Sequence, residues 1–228
     1  MTIILTNDDG IDAPGIRALQ QAVTGETTIV APDRQYSGCG HQVTTNRGMK
    51  LEERATDEYA LDGTPADCTR IAINQIATNT KLVLSGINAG GNLGTDVYIS
   101  GTVAAVREAA IHGIPGIAIS HWIKRPLLID WDVASRWTKR VLDDLLSRPL
   151  PPGSFWNVNL PHLEPEQPEP NIVLCQHSIA PLPVDFRKEE DTYHYQGKYS
   201  DRERTPGTDV DVCFGGDIAV TLINLSSG

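Results

Sequence analysis

The chain has 228 residues, of which 40% are apolar, so it can bury a core without disulfides or structural metals. It has 19 Lys and Arg against 29 Asp and Glu, and the resulting net charge of −10 argues against a nucleic acid polymer as main ligand. No apolar run approaches the roughly 20 residues that span a bilayer, and the first residues lack a signal-peptide pattern. We therefore expect a cytoplasmic protein with no membrane partner.

The first part of the chain alternates between strand and helix patterns. An apolar run predicts a strand at residues 2–6, and Ile16, Leu19 and Val23 have helical spacing. A second strand is predicted at residues 28–31. This order favours a parallel sheet with right-handed crossovers.

The middle of the chain continues this alternation. Thr64 is suited to cap a helix whose first residue is Pro65. The later predictions are a strand at residues 81–84, a helix through Val103, Val106 and Ala110 that ends near Gly113, a strand at 116–119 and a helix at 132–147. These elements predict an α/β fold.

The composition changes after Arg148, where several prolines end the last of these helices. Strands are predicted at residues 155–160 and 172–175, followed by a pair of strands at 208–225 around Gly215-Gly216. Residues 185–205 are polar and too long for an ordinary turn. We expect them to form an extended arm or a hairpin that packs on another surface, such as a neighbouring subunit.

Two adjacent carboxylates, Asp8 and Asp9, directly follow the first predicted strand. Open α/β sheets bind ligands beyond the carboxyl ends of their strands, so this pair is expected to face the site. Carboxylate oxygens are the ligands that Mg²⁺ and Mn²⁺ prefer. The alternative is that one of the two caps the following turn.

The glycine-rich stretch at residues 85–96 is the strongest signal for a site. Its glycines let the backbone approach an anion, and Asn88 and Asn92 add side-chain amides. Ser100 and Thr102 open the next helix, where hydroxyls and free N–H groups are donors for phosphate. The alternative is an ordinary turn in which Thr102 is the helix cap.

Single side chains elsewhere are weaker signals. Ser37 stands beside a glycine after the second strand and suits a metal or phosphate oxygen, although loop serines also stabilise turns. His41 lies in the same loop, within reach of a leaving group, and His121 follows a strand end. For both histidines a structural role is the alternative.

Motifs of several other protein classes are absent. The sequence has no G-x-G-x-x-G after a strand, no G-x-x-x-x-G-K-[ST] and no G-x-S-x-G. Their absence argues against a dinucleotide dehydrogenase, a P-loop NTPase and a serine hydrolase. The four cysteines form no C-x-x-C pair, which argues against a zinc knuckle.

Several segments match the pattern of one known family, in that family's order: ILTNDDGIDAPGI, APDRQYSGCGH, LDGTPADC, LVLSGINAGGNLGTDVYISGTVAAVREA and TDVDVCFGGDIAVTL. On these segments the chain resembles the SurE (survival protein E) family of metal-dependent 5′/3′-nucleotidases. The resemblance covers most of residues 1–120 and the C-terminal strands.

The resemblance implies a single Rossmann-like, three-layer α/β domain over residues 1–228. Its core would span about residues 1–160, and a β-rich C-terminal extension, about residues 171–228, would be exchanged between subunits of a homodimer or homotetramer. One divalent ion per subunit, Mg²⁺ or Mn²⁺, is implied, with ligands Asp8, Asp9, Ser37 and Asn88. The implied phosphate-binding residues are Asn92, Ser100, Gly101 and Thr102.

Some positions depart from the family pattern. Arg107 adds a positive charge to the helix that follows the glycine-rich stretch, and residues 121–205 match only loosely. The proline of the last strand is replaced within Thr221-Leu222-Ile223. These departures bear on substrate preference and on the exchange of the arm.

The resulting hypothesis is a metal-dependent phosphomonoesterase that acts on nucleoside 5′-monophosphates, with 3′-monophosphates and short polyphosphates as further substrates. Asp8 and Asp9 would be catalytic. The sequence leaves two nucleophiles open: a water or hydroxide on the metal, or Asp8 itself through a phospho-enzyme. The competing hypothesis is a nucleotide or phosphometabolite sensor that keeps the cleft without turnover.

Overall fold

The computed structural model describes residues 2–164 and 166–225. The strands are β1 (Thr2–Thr6), β2 (Thr27–Pro32), β3 (Leu51–Ala55), β4 (Glu58–Leu61), β5 (Thr80–Ala89), β6 (Gly116–His121), β7 (Ser154–Leu160), β8 (Ile172–Leu174), β9 (Phe186–Glu189), β10 (Thr192–Tyr195) and β11 (Ile218–Asn224). The α-helices are α1 (Pro14–Ala22), α2 (Pro65–Ile71), α3 (Gly101–Ile111), α4 (Trp131–Leu145) and α5 (Asp209–Gly215). A π-helical turn, Ala72–Ile76, continues α2, and 3-10 turns lie at Gly94–Tyr98 and Tyr199–Asp201.

Within the described residues, the main sheet has nine strands in the order β3-β4-β2-β1-β5-β6-β7-β11-β8. The strands from β4 to β7 run parallel to one another. Strand β3 is antiparallel to β4, and β11 is antiparallel to β7. The chain moves from β1 towards β2 on one side and later returns to β5 on the other, so strand order reverses at β1. Ligands of open α/β sheets bind at such a point, beyond the carboxyl ends of the strands.

Helices cover both faces of this sheet. Ile4 of β1 packs in the cluster that contains α2 and α3, whereas its neighbour Leu5 packs in the cluster that contains α1 and α4. Successive strand residues point to opposite faces, so a strand covered on both sides is apolar along its length. Helix α4 buries Trp137, Val141 and Leu145, which share one face at helical spacing.

The strands and helices predicted up to residue 160 are confirmed, with small differences in their bounds. Thr64 caps α2 as predicted: its hydroxyl accepts from the Asp67 N–H, and the Asp67 carboxylate accepts from the Thr64 N–H. The β3–β4 hairpin was not predicted from the sequence. Strand β3 is exposed along its whole length, so it carries no apolar alternation to reveal it.

The predicted pair of strands at residues 208–225 is wrong in its first half. Residues 209–215 form α5, and only β11 is a strand. Val210 and Cys213 are buried three positions apart, as on a helix face, and Asp209 and Asp211 lie in the first turn, where the helix dipole favours acidic residues. Gly216, with φ 103°, ends the helix.

The α/β fold class with a mostly parallel sheet is confirmed, and β8 and β11 continue the same sheet beyond β7. The polar stretch at residues 185–205 contains the hairpin β9–β10, one of the two forms expected for it. Its exchange between subunits stays a prediction. In the described part of the chain, no helix is long and apolar enough to cross a membrane.

Candidate active site

The predicted site residues lie at the carboxyl ends of three neighbouring strands. Asp8 and Asp9 follow β1, Ser37 lies in the loop after β2, and Asn88 is at the end of β5. Strands β2 and β5 flank β1 in the sheet. The fold therefore gathers residues from separate parts of the sequence at the point where strand order reverses.

Hydrogen bonds tie these three segments together. The Tyr36 N–H donates to the carbonyl oxygen of Asp8 over 2.7 Å, which holds the loop after β2 against the end of β1. The Ala89 N–H donates to Asp9 Oδ2 over 3.1 Å, which does the same for the end of β5. Gln35 Nε2 donates to Asp9 Oδ1 over 3.2 Å. Asp9 is thus oriented from both sides.

The turn after β1 is closed by Asn7 rather than by either aspartate. Its side-chain oxygen accepts from the Gly10 N–H over 3.2 Å, and its amide nitrogen donates to the Gly10 carbonyl over 2.8 Å. Gly10 has φ 100°, a conformation that glycine adopts readily. The alternative in which Asp8 or Asp9 caps this turn is therefore wrong.

Asp8 is buried against the N-terminus of α3. The Thr102 hydroxyl donates to Asp8 Oδ1 over 2.6 Å. Gly101 packs so closely that an added Cβ would lie 2.8 Å from the Asp8 Cβ. Burial raises the pKa of Asp8 to about 6, the hydrogen bond from Thr102 opposes this rise, and the nearby charge of Asp9 adds to it.

A divalent cation fits the chemistry of this donor set. Asn88 Nδ2 donates to the Gly90 carbonyl over 2.8 Å, which leaves the side-chain oxygen of Asn88 for another partner. Ser37 is exposed, and its neighbour Tyr36 is hydrogen-bonded to the backbone of the buried Asp8. Two carboxylates, an amide oxygen and a hydroxyl form an all-oxygen set, as hard cations prefer. Among the described residues, no group of three or more His, Cys, Asp or Glu offers another metal site.

The predicted phosphate-binding residues lie at the start of α3 and in the loop before it. Ser100, and not Thr102, caps α3: its hydroxyl oxygen accepts from the Val103 N–H over 3.1 Å. The hydroxyl proton of Ser100 remains available to a ligand. Gly101 and Thr102 contribute the first helical N–H groups, which have no partner within a helix.

Asn92 is held by side chains that the sequence analysis missed. Its backbone N–H donates to Asn159 Oδ1 over 2.7 Å, and its carbonyl accepts from Asn157 Nδ2 over 2.9 Å and from Asn159 Nδ2 over 3.0 Å. Its own amide donates to Ser120 Oγ over 2.8 Å. Two asparagines at alternate positions of an otherwise apolar strand were the available signal, because such residues share one face.

His41, which the sequence placed in the same loop as Ser37, is paired with Glu108 of α3. The distance between His41 Nε2 and Glu108 Oε2 is 2.7 Å, and His112 Nε2 lies 3.1 Å from Glu108 Oε1. These contacts, led by the one from His41, lower the pKa of Glu108. The pair fastens the loop that carries Ser37 to α3. Arg107, the departure from the family pattern, donates to the Val97 carbonyl.

His121 is buried at the end of β6, on the side of the sheet that packs against α4. Its Nδ1 lies 2.7 Å from the Trp122 carbonyl oxygen, which only accepts, so Nδ1 carries the proton. Burial lowers the pKa of His121 to about 4. The ring stacks nearly parallel to Trp137, with the ring centres 6.5 Å apart. This geometry agrees with the structural role named as the alternative.

Comparison with known proteins relates the chain to one family. The family model "Survival protein SurE" matches residues 3–180. The crystal structure of the SurE protein from Aquifex aeolicus superimposes with a TM-score of 0.89 at 33% identity, and the match covers 100% of this chain and 95% of that one.

Named relatives give the same result at higher identity. A protein of Nostoc sp., whose name provisionally assigns it as a 5′-nucleotidase, is 62% identical over 99% of this chain and 100% of its own. Proteins named 5′-nucleotidase SurE are 45% identical in Pelobacter propionicus, over 77% of this chain and 72% of theirs, and 37% identical in Heliobacterium modesticaldum, over 98% and 86%.

Proposed function

The chain belongs to the SurE family, and from this premise we propose that it is a 5′-nucleotidase that hydrolyses nucleoside monophosphates to nucleoside and phosphate. The names of its relatives support the substrate class. The observation that carries the proposal is the contact between Asp8 and the start of α3, because it places a buried carboxylate beside the first N–H groups of a helix. A carboxylate can bind a cation, and the N–H groups at a helix start can bind the phosphate that the cation also contacts.

One Mg²⁺ or Mn²⁺ per subunit would be held by Asp8, Asp9, Ser37 and Asn88. When bound, the ion would withdraw charge from a phosphoryl oxygen. The carboxylate of Asp9 is already oriented for this by Gln35 and Ala89.

The start of α3 would receive the remaining phosphoryl oxygens. The N–H groups of Gly101 and Thr102 point out of the helix end, and the Ser100 hydroxyl has a proton to donate. Asn92 would add its amide from the loop. Donors fixed before the substrate arrives stabilise the charge that develops during in-line displacement without having to reorganise.

Asp8 would have the central role in proton or phosphoryl transfer. Thr102 donates to Oδ1, and Oδ2 is the oxygen that lies against Gly101. The carboxylate would either attack phosphorus directly or orient the attacking water. His41 is engaged by Glu108, and the positioning of the Ser37 loop is the role its contacts support.

We also propose that the hairpin β9–β10 contacts a second copy of this chain, as a homodimer or homotetramer. Its strands are exposed along their length, and they carry the aromatic side chains Phe186, Tyr193 and Tyr195, more than half of whose surface is exposed. Exposed apolar patches of this kind mark interfaces. Mass measurement in solution tests the proposal, and a monomer at all concentrations would contradict it.

The proposed activity is tested with nucleoside 5′- and 3′-monophosphates and short polyphosphates, each with Mg²⁺, with Mn²⁺ and with EDTA. We expect phosphate release that requires the metal and is fastest with a 5′-monophosphate. Absence of metal-dependent release from every substrate would overturn the enzyme assignment. Nucleotide binding without turnover would instead identify a sensor.

A further inference from the structure

We propose that Tyr199, Arg202 and Asp209 are positioning residues that hold the glycine-rich loop, residues 90–100, in its active geometry. We call these three residues the arm clamp. They lie more than 90 positions beyond the loop in sequence, yet all three bond to it. For its kinetic readout the inference rests on the proposed function.

Arg202 makes the most extensive contact of the arm clamp. Its Nη1 forms an ion pair with Asp96, and its Nη2 donates to the Leu93 carbonyl over 2.7 Å. Arg202 is 5% exposed and Asp96 is 6% exposed. A guanidinium group presents its donors in a rigid fork, so it fixes a carboxylate and a carbonyl in one geometry, which an ammonium group cannot do.

Tyr199 fastens the same carboxylate from another side. Its hydroxyl donates to Asp96 Oδ2 over 2.6 Å and lies 3.2 Å from the Gly91 carbonyl oxygen. The Arg202 guanidinium stands over the Tyr199 ring, 4.8 Å from its centre. Burial and the charge of Asp96 raise the pKa of Tyr199, so the hydroxyl remains a donor.

Asp209 holds the loop through its backbone. The carboxylate is fully buried, and it accepts from the Gly94 N–H over 2.8 Å and from the Ser178 N–H over 3.0 Å. It therefore joins the loop to the segment between β8 and β9. The Asp96 carboxylate, which Arg202 and Tyr199 hold, itself accepts from the Leu93 N–H over 3.1 Å.

Two glycines of the loop leave room for the side chains of the arm clamp. An added Cβ on Gly91 would lie 3.0 Å from the Tyr199 hydroxyl oxygen, and one on Gly94 would lie 3.0 Å from Arg202 Nη2. Both distances are tighter than side chains normally tolerate. Gly94 also has φ 50°, which disfavours most other residues. The loop and the arm are therefore complementary in shape as well as in polarity.

The arm clamp acts on the site through Asn92 and Ser100. Asn92 lies between Gly91, whose carbonyl oxygen is 3.2 Å from the Tyr199 hydroxyl, and Leu93, whose carbonyl accepts from Arg202. The Asp96 carbonyl accepts from the Ser100 N–H over 3.0 Å, which fixes the start of α3 relative to Asp96. Release of Asp96 would free both groups to shift, and a shift of about 1 Å can reduce a rate about 100-fold.

The test compares Arg202→Ala and Tyr199→Phe with matched controls in the same arm. Arg204→Ala removes a half-exposed arginine that pairs with Asp211, and Tyr195→Phe removes a hydroxyl that donates to the Pro183 carbonyl. We expect kcat to fall roughly 10- to 100-fold in Arg202→Ala, and less in Tyr199→Phe, with smaller changes in KM. Both controls should retain the wild-type kcat.

Chemical rescue separates positioning from general damage to the fold. Guanidinium chloride, well below denaturing concentrations, should restore part of the activity of Arg202→Ala, whereas methylammonium chloride at equal ionic strength should not. Hydrogen exchange of the amides at residues 91–102 should become faster in Arg202→Ala and in Tyr199→Phe, and in neither control.

A kcat within twofold of wild type in both clamp variants, with unchanged exchange in the loop, would overturn the inference. If Arg202→Ala fails to fold, Tyr199→Phe decides the question, because it retains the aromatic ring. If the wild-type protein hydrolyses no substrate, the proposed function fails, and the exchange experiment still tests the arm clamp.

Discussion

The two ends of the parallel sheet differ in the kind of side chain they bury. At the carboxyl end, Asp8, Asn92 and Thr102 are buried. Thr102 of α3 donates a hydrogen bond to Asp8, and the Asn92 N–H donates one to Asn159 of β7. At the amino end, residues near the starts of β1, β5, β6 and β7 border a cavity of about 750 Å³. Apolar side chains such as Leu145 and Trp156 dominate its walls.

The difference shows that volume alone does not identify the site in this fold. The cavity at the amino end has mainly apolar walls, with Glu26, Lys81 and Arg148 as the charged residues among its lining. A phosphate ester needs donors that are fixed before it binds and a counter-charge, and the buried, hydrogen-bonded polar groups at the carboxyl end supply these. Parallel strands bring their following loops to the carboxyl end, where loops supply such groups.

Asp8→Asn should reduce kcat by roughly 10³-fold or more, because in the proposed function Asp8 is both a catalytic carboxylate and a metal ligand. The metal-free protein should melt at nearly the wild-type temperature, since burial and Asp9 already disfavour the charge of Asp8. Initial rates with a 5′-monophosphate and thermal unfolding check both parts. Asp12→Asn, at an exposed position nearby, is the matched control. A near-normal kcat in Asp8→Asn would refute the assignment.

The buried His121 should make stability depend on pH. Its folded pKa of about 4 lies below the ordinary 6.5, so its contribution is complete above pH 6.5 and is lost as pH falls towards 4. The 2.5-unit difference corresponds to about 3 kcal/mol. Urea unfolding at pH 7 and near pH 4.5 measures the loss.

His121→Asn isolates this effect, because its amide can still donate to the Trp122 carbonyl without taking up a proton in this range. The variant should lose less stability than the wild type between the two pH values. Equal losses in both proteins would show that other groups cause the pH dependence.

Thr102→Val should lower kcat about 10-fold, in keeping with the loss of one hydrogen bond to a charged group. The hydroxyl orients the Asp8 carboxylate, and valine keeps the shape of the side chain. Thr69→Val is a matched control: Thr69 is also fully buried, and its hydroxyl donates to the Ala105 carbonyl away from the site. Similar kinetic losses in the two variants would indicate a general packing effect.

Leu146→Ala at the amino-end cavity should have the smallest effect. The side chain is 57% exposed at the end of α4, so we expect a change in unfolding free energy within about 0.5 kcal/mol. We also expect an unchanged kcat. A large kinetic loss with intact stability would contradict the contrast between the two ends of the sheet.

The candidate site residues at the end of β1 and at the start of α3 were predictable because their signals are local in the sequence. Asp8 and Asp9 follow an apolar strand, and Ser100 to Thr102 open a helix after a run of glycines. Strand ends and helix starts are positions at which residue type and function are directly linked. The assignment of Asp8, Asp9, Ser37 and Asn88 to a metal stays a prediction that the observed geometry supports.

The residues that hold the glycine-rich loop in place were not predictable, because they lie far from that loop in the sequence. Asn159 reaches Asn92 across 67 positions, and Arg202 reaches Asp96 across 106. Neither partner has a distinctive neighbourhood in the sequence. Helix α5 was misread for a related reason, since the Val-rich residues that predict a strand are buried on one side of a short helix.

The amino-acid sequence was enough to establish the alternation of strands and helices, the acidic net charge and the motifs that mark the carboxyl ends of β1 and β5. These follow from composition and from short-range periodicity, which the chain carries before it folds. The folded structure was needed to show that Ser100 caps α3 while Thr102 binds Asp8, and that the arm clamp binds the glycine-rich loop. Burial decides such pairings: a polar group removed from water requires a partner, and the fold determines which partner is within reach.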